Sequence, residues 1–229
     1  MILNLLYSDL PMNITVGLLI LQLFCVVMAL TVHEFAHGFI ANKLGDPTAS
    51  FQGRLTLNPL AHIDPVGFLM MLLVGFGWAK PVPVNPRLMS KPKRDMALTS
   101  IAGPAVNLLV ALVSGIAVGA LAQFGYNPLQ IFWEAFDGGI TPMGTLSYTL
   151  YMMMLLNVGL ALFNMIPIPP LDGSKVAAVL LPDRIYIQLM RYERYGILVL
   201  FLLSWLGWTG GLINGAIMGV YNALFNLFY

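Results

Sequence analysis

Residues 33–37 read His-Glu-Phe-Ala-His. On an α-helix, positions four apart share a face, roughly 6 Å apart along the axis. His33 and His37 can therefore present two imidazole nitrogens to one divalent ion. Glu34 sits beside them, and its carboxylate can work on a water at that ion without being a ligand. Zinc held by two His takes a third protein ligand and keeps a fourth position for water, whose pKa falls toward about 7. Glu34 would take the proton of that water as it attacks a carbonyl, then hand it to the leaving amine. The chemistry these residues suit is metal-assisted hydrolysis of an amide.

Two residues stand out as third ligand. His62 is the only other histidine, in NPLAHIDP, and Asp172 lies in NMIPIPPLDG, residues 164–173. Three prolines, Pro167, Pro169 and Pro170, strip backbone donors there and force extended chain. Irregular backbone at membrane depth is tolerated only where protein buries it or a wet cavity borders it. A carboxylate carried to such a place wants a cation, which favours Asp172 over His62. Asp172 could instead cap a short helix at Ser174–Leu181, and His62 could be an ordinary interfacial turn residue. A His pair four apart can also arise by accident. In hydrocarbon, however, an acidic residue alone costs at least about 2.5 kcal/mol, and three ionisable groups on one helical turn call for a shared compensation.

The elements around these residues read as membrane. Of 229 residues 59% are hydrophobic and 9% charged, against about 25% charged in soluble domains. All eleven Lys and Arg fall in two windows, Lys43 to Arg94 and Lys175 to Arg194, which predicts that both are cytoplasmic. The basic-free stretch around Glu134 and Asp137 is then outside, and no basic run suits nucleic acid. The single cysteine, Cys25, permits no internal disulfide and reads as packing. Apolar runs predict transmembrane helices over about 13–42, 97–123 and 144–166. The first has no basic n-region and is not expected to be a cleaved signal. Alternation of Phe51, Leu55 and Leu57 with polar residues predicts a short strand pair within 49–64. Residues 66–78 are too short to span and are flanked on one side by Arg54 and Lys80, so they read as re-entrant. Proline recurs too often in 81–94 for a helix. Apolar material at 195–207 and 209–228 closes the chain, and residues 209–228 can either span or lie at the interface. His33 precedes Lys43 by ten residues, which puts the site on the order of 15 Å from the cytoplasmic end of its helix.

HEFAH at 33–37, GPAVN at 103–107 and NMIPIPPLDG at 164–173 together resemble the site-2 protease family of intramembrane zinc metalloproteases. The resemblance covers most of residues 20–185. It implies an all-α polytopic membrane protein: a three-helix catalytic core with flanking helices, a small β-element and a re-entrant segment near the cytoplasmic face. It implies one zinc per chain on His33, His37 and Asp172, against His62, with Glu34 as general base and acid and Asn164 as oxyanion donor. Asn107 is a weaker candidate for a polar role, alongside a plain helix-packing hydrogen bond. The family's substrates are membrane proteins, cut within or beside a transmembrane segment and received in extended form along a β edge, here 49–64, with His62 near that path. The chain divides on this basis into a core at 1–185, with the β and re-entrant region at 49–80, and C-terminal apolar helices at 186–229. It looks like a compact member without PDZ or CBS domain, expected in a prokaryotic cytoplasmic membrane with its site nearer the cytoplasm. Nothing fixes the trigger, the cleavage position or the oligomeric state. A metal transporter using the same ligands is the alternative from another class. Beyond Ser114, Thr145, Ser147 and Thr149, the outer halves of the second and third spans give it little polar path.

Overall fold

The structure, a computed structural model, describes residues 11–74, 77–128, 141–182, 184–185 and the isolated positions 196, 202, 215, 218, 219 and 222. Among the described residues, three helices are long and apolar enough to cross a membrane: α1 (Met12–Lys43), α4 (Pro92–Gln123) and α5 (Pro142–Asn164). Between and after them lie short helices: α2 (Thr48–Phe51), α3 (Pro65–Val74) and α6 (Asp172–Ala178). The acidic loop around Glu134 and Asp137 and most of 186–229 fall outside the described residues.

The three long helices pack on one another, α4 lying against both α1 and α5, and α6 docking on α4. Their contacts are small or shape-adapting side chains. Leu18 and Cys25 of α1 bury against Tyr148 and Met152 of α5, and Gln22 Nε2 donates to the Tyr148 hydroxyl at 2.9 Å. Cys25 is fully buried, as its packing role requires. Large apolar residues remain exposed along the outer faces, among them Val16, Ile20 and Phe24 on α1 and Leu109, Val113 and Ile116 on α4. Such faces suit lipid, because hydrocarbon solvates them without any need for burial.

Two expectations are corrected. The third long helix ends near its predicted place, but α4 begins at Pro92, five residues before the predicted 97. Proline is tolerated at the first helical position, where its missing N–H would have no partner. The Asp95 carboxylate reaches back to accept the Lys91 N–H at 2.9 Å and closes the helix start. The strand pair predicted within 49–64 does not form, and no strand occurs among the described residues. Asp46 accepts from the Thr48 N–H at 3.0 Å and starts the helical turn α2. Gly53 at φ +64° then bends the chain. Phe51 and Leu57 stay exposed. Their alternation carried no burial signal, because in a membrane an outward apolar residue is not a buried one.

What remains of pairing is one antiparallel bridge, Ile63 to Ala79, with the Lys80 N–H donating to His62 O at 2.9 Å. It closes the excursion that carries α3. A ten-residue helix is about 15 Å long, half of the roughly 30 Å hydrocarbon core. Gly67 makes the return possible: a Cβ there would lie 2.2 Å from Trp78 O.

Candidate metal centre

Helical phase brings His33 and His37 to one face of α1, and α4 closes on that face because it offers glycine. A Cβ at Gly103 would fall 2.5 Å from His37 Nε2 and 2.6 Å from His33 Cε1. Each histidine meets α4 through its Nδ1. His37 Nδ1 faces Thr99 O at 2.7 Å. A carbonyl can only accept, so that nitrogen carries the proton. His33 Nδ1 faces Asn107 Oδ1 at 2.5 Å. The amide is oriented by its other end, since Asn107 Nδ2 donates to Asn157 Oδ1 at 2.6 Å and to Ala29 O at 3.2 Å. Both Asn side chains are fully buried. The two imidazoles thus hold their protons on Nδ1 and leave both Nε2 lone pairs free.

The third group arrives from the proline-rich segment. Beyond α5 the chain turns through IPIPP, and α6 begins at Asp172. Gly173 lets that start press on the end of α5, where a Cβ would lie 2.2 Å from Met165 O. Asp172 Oδ2 then stands 3.1 Å from His33 Nε2 and 3.2 Å from His37 Nε2, and the two Nε2 atoms are 3.0 Å apart.

This donor set fits a metal. Three lone-pair atoms meet with no proton between them, and Asp172 Oδ2 is buried without a hydrogen-bond donor among the described residues. Ligands at about 2.0–2.1 Å in a tetrahedral site are themselves about 3.3 Å apart, close to the separations here. His33, His37 and Asp172 form the group that could hold an ion among the described residues. His62 is not part of it. It is buried elsewhere, with Nε2 facing Thr56 O at 2.8 Å.

Glu34 stands one residue from His33 and outside the ligand set. Its Oε2 accepts the Val82 N–H at 2.8 Å, which fixes the carboxylate and leaves Oε1 for other work. Gly38, one turn further, lets the 81–85 segment lie along α1: a Cβ there would meet Val82 Cγ1 at 3.1 Å. Asn164 ends α5, half-buried, with Nδ2 donating to Leu160 O at 2.9 Å.

The sequence profile of peptidase family M50 matches residues 21–206, a stretch that contains every one of these groups. The chain belongs to peptidase family M50. A protein of Bacillus subtilis named as a candidate zinc metalloprotease, YwhC, is 38% identical over 178 residues, covering 78% of this chain and 77% of its own. Two proteins named as candidate zinc metalloproteases Rip2 match more distantly. That of Mycolicibacterium smegmatis is 32% identical over 69% of this chain and 56% of its own. That of Mycobacterium tuberculosis is 28% identical over 86% and 73%. No solved structure matches significantly. The M50 assignment agrees with the resemblance to site-2 proteases drawn from HEFAH, GPAVN and NMIPIPPLDG, and makes the chain a multi-pass membrane metalloprotease.

Asn107 entered the sequence reading as a weak candidate, and Asn157 and Val82 did not enter it. Asn107 had a signal, since it lies four residues from Gly103 on one helical face. Asn157 had a fainter one, as a second amide at depth in an apolar helix. Val82 contributes only its backbone N–H, which leaves no trace in residue type.

Proposed function

We propose that this M50 protein is a zinc endopeptidase that hydrolyses peptide bonds within or next to transmembrane segments of membrane proteins. The observation that carries this is the convergence of His33 Nε2, His37 Nε2 and Asp172 Oδ2 beside Glu34. His33, His37 and Asp172 would hold one zinc per chain, which would supply Lewis-acid chemistry and lower the pKa of a water there. Glu34 takes the proton of the attacking water and returns it to the leaving amine. The Val82 N–H on Oε2 holds the carboxylate in place while Oε1 handles the proton. Asn164 is the donor for the developing oxyanion, a role in which its Nδ2 turns away from Leu160 O.

Residues 1–185 form the catalytic unit, and 186–229 flank it with apolar segments. The excursion from Ile63 to Ala79 is a re-entrant segment, a reading supported by the length of α3 and by the bridge that returns the chain to its starting level. The substrate binds in extended form, since a helical carbonyl is already hydrogen-bonded and unavailable. Both basic windows face the cytoplasm, so the site opens toward that side. The bacterial relatives support a bacterial cytoplasmic membrane. Membership of a peptidase family favours hydrolysis over the use of the same ligands as a metal transit site.

The test is the Glu34→Gln variant beside wild type, each assayed for bound zinc and for cleavage of a reporter carrying a transmembrane segment. Zinc stays at about one per chain in both, while cleavage falls by about 10²–10⁴ in the variant. Cleavage that survives Glu34→Gln unchanged sinks the mechanism.

A further inference from the structure

The segment that supplies the Val82 N–H is a stiff strap. Residues 79–85 read Ala-Lys-Pro-Val-Pro-Val-Asn. Pro81 and Pro83 fix their own φ at about −65° and push the residues before them, Lys80 and Val82, into extended backbone. Val82 therefore has a proline on either side, and the chain itself limits how its N–H can turn. A strap of this kind needs only to be held in place, and two charged side chains hold it.

Arg54 holds the start. It follows α2, where its N–H returns to Ala49 O at 2.8 Å. Its Nη2 donates to Lys80 O at 2.8 Å and to Pro81 O at 3.2 Å. Asp46 holds the end. Its Oδ2 accepts the Asn85 N–H at 2.6 Å, while Oδ1 accepts from the N–H and the hydroxyl of Thr48. Asp46 is fully buried, and its own N–H bonds to Ala41 O at 3.0 Å, in the last turn of α1. This anchor is thus fixed to the helix that carries Glu34. Between the two anchors Val82 is buried, and its N–H reaches Glu34 Oε2 at 2.8 Å. Neither anchor belongs to the proposed ligand set.

Resting on the proteolytic reading above, we propose that Arg54 and Asp46 are positioning residues of the reaction, fixing the strap whose Val82 N–H aims the Glu34 carboxylate. A general base works only within hydrogen-bond reach of the proton it takes, and a glutamate side chain turns about several bonds. One donor on Oε2 restrains it only while that donor stays put. Cutting an anchor lets the strap drift, and a misplacement of about 1 Å can cost on the order of 100-fold. Both anchors act through one N–H, so their loss and its loss overlap instead of multiplying.

The test is a set of variants assayed for bound zinc, thermal stability, and kcat and KM on the transmembrane reporter. Val82→Pro removes the N–H from an already extended strap, and kcat falls about 10–100-fold. Arg54→Ala, and Asp46→Asn with its amide nitrogen unable to accept, each lower kcat about tenfold, while KM and zinc content keep their wild-type values. Arg54→Lys keeps a donor for the two carbonyls and recovers most of the loss. In the Val82→Pro background, Arg54→Ala and Asp46→Asn cost nothing further. Arg54 is only half-buried, so its variants decide the matter if Asp46→Asn does not fold. Losses that multiply in the double variants, a raised KM at constant kcat, or an unchanged kcat in Arg54→Ala overturn the proposal while proteolysis stands. Zinc or thermal stability lost in step with activity in Arg54→Ala overturns it too, leaving the anchors a part in the fold alone. Wild type without any Glu34-dependent cleavage overturns the proteolytic reading and the positioning role with it.

Discussion

His33 and His62 are both buried, and each commits one ring nitrogen to a neighbour, His33 to Asn107 and His62 to Thr56. The nitrogens left over meet opposite surroundings. That of His33 points at two more lone-pair donors, His37 Nε2 and Asp172 Oδ2. That of His62 finds no partner among the described residues. Burial and a fixed tautomer are common to both, so neither makes a metal site. What sets the candidate metal centre apart is convergence, and it is built by helix phase on α1, a glycine on α4 and a proline-rich turn that swings Asp172 inward.

The largest effect that tests this comparison is on the ligands. Asp172→Ala removes the only carboxylate of the proposed ligand set. Zinc affinity then falls by more than the 10–100-fold that loss of an outer partner costs, and reporter cleavage falls to background. His62→Ala leaves zinc bound. Metal analysis of the two purified variants decides the matter, and zinc lost from His62→Ala but kept in Asp172→Ala would break the comparison outright.

A smaller effect is expected where no ligand is altered. Gly103→Ala places a methyl 2.5 Å from His37 Nε2, so either the imidazoles rotate or α4 backs away. Zinc affinity falls on the order of 100-fold, as for loss of a strong outer contact. Gly17→Ala on α1 is the control, because a Cβ there meets nothing within 4 Å, and it leaves zinc affinity unchanged. Competition against a chelator reads both. Equal affinities would mean that close approach of α4 does not set the site.

How much of this was legible beforehand follows from which features depend on period. His33, Glu34 and His37 were legible because the helix repeat alone juxtaposes them. Asp172 was weighed against His62 on charge, and the LDG resemblance decided for it. The three spans were legible from hydropathy and from the two basic windows. The failed strand pair at 49–64 shows the limit: alternation is informative only where one face meets water and the other a core. The early start of α4 depended on a cap by Asp95, which the run of prolines masked. Asn157 and Val82 were invisible for a different reason, since their contributions depend on which helix or strap lies opposite, and one chain of letters does not say which faces meet.

Asn107 sharpens the comparison most finely, because it is to His33 what Thr56 is to His62, yet it sits under a proposed ligand. Asn107→Ala removes the acceptor from His33 Nδ1 and frees the ring to turn or change tautomer, so zinc affinity falls by about 10–100-fold. Asn107→Asp restores an acceptor for Nδ1 and recovers most of that loss, although it forfeits the donors to Asn157 and Ala29. Asn157→Ala touches the histidine only through Asn107 and costs about a few-fold, below the lower end of that range. Zinc affinity and thermal stability measured together separate positioning from packing. A positioning role predicts that affinity tracks the order wild type, Asn157→Ala, Asn107→Ala, with Asn107→Asp recovering. A packing role predicts that stability falls in all three variants while zinc affinity stays level, which would reduce Asn107 to a hydrogen bond between helices.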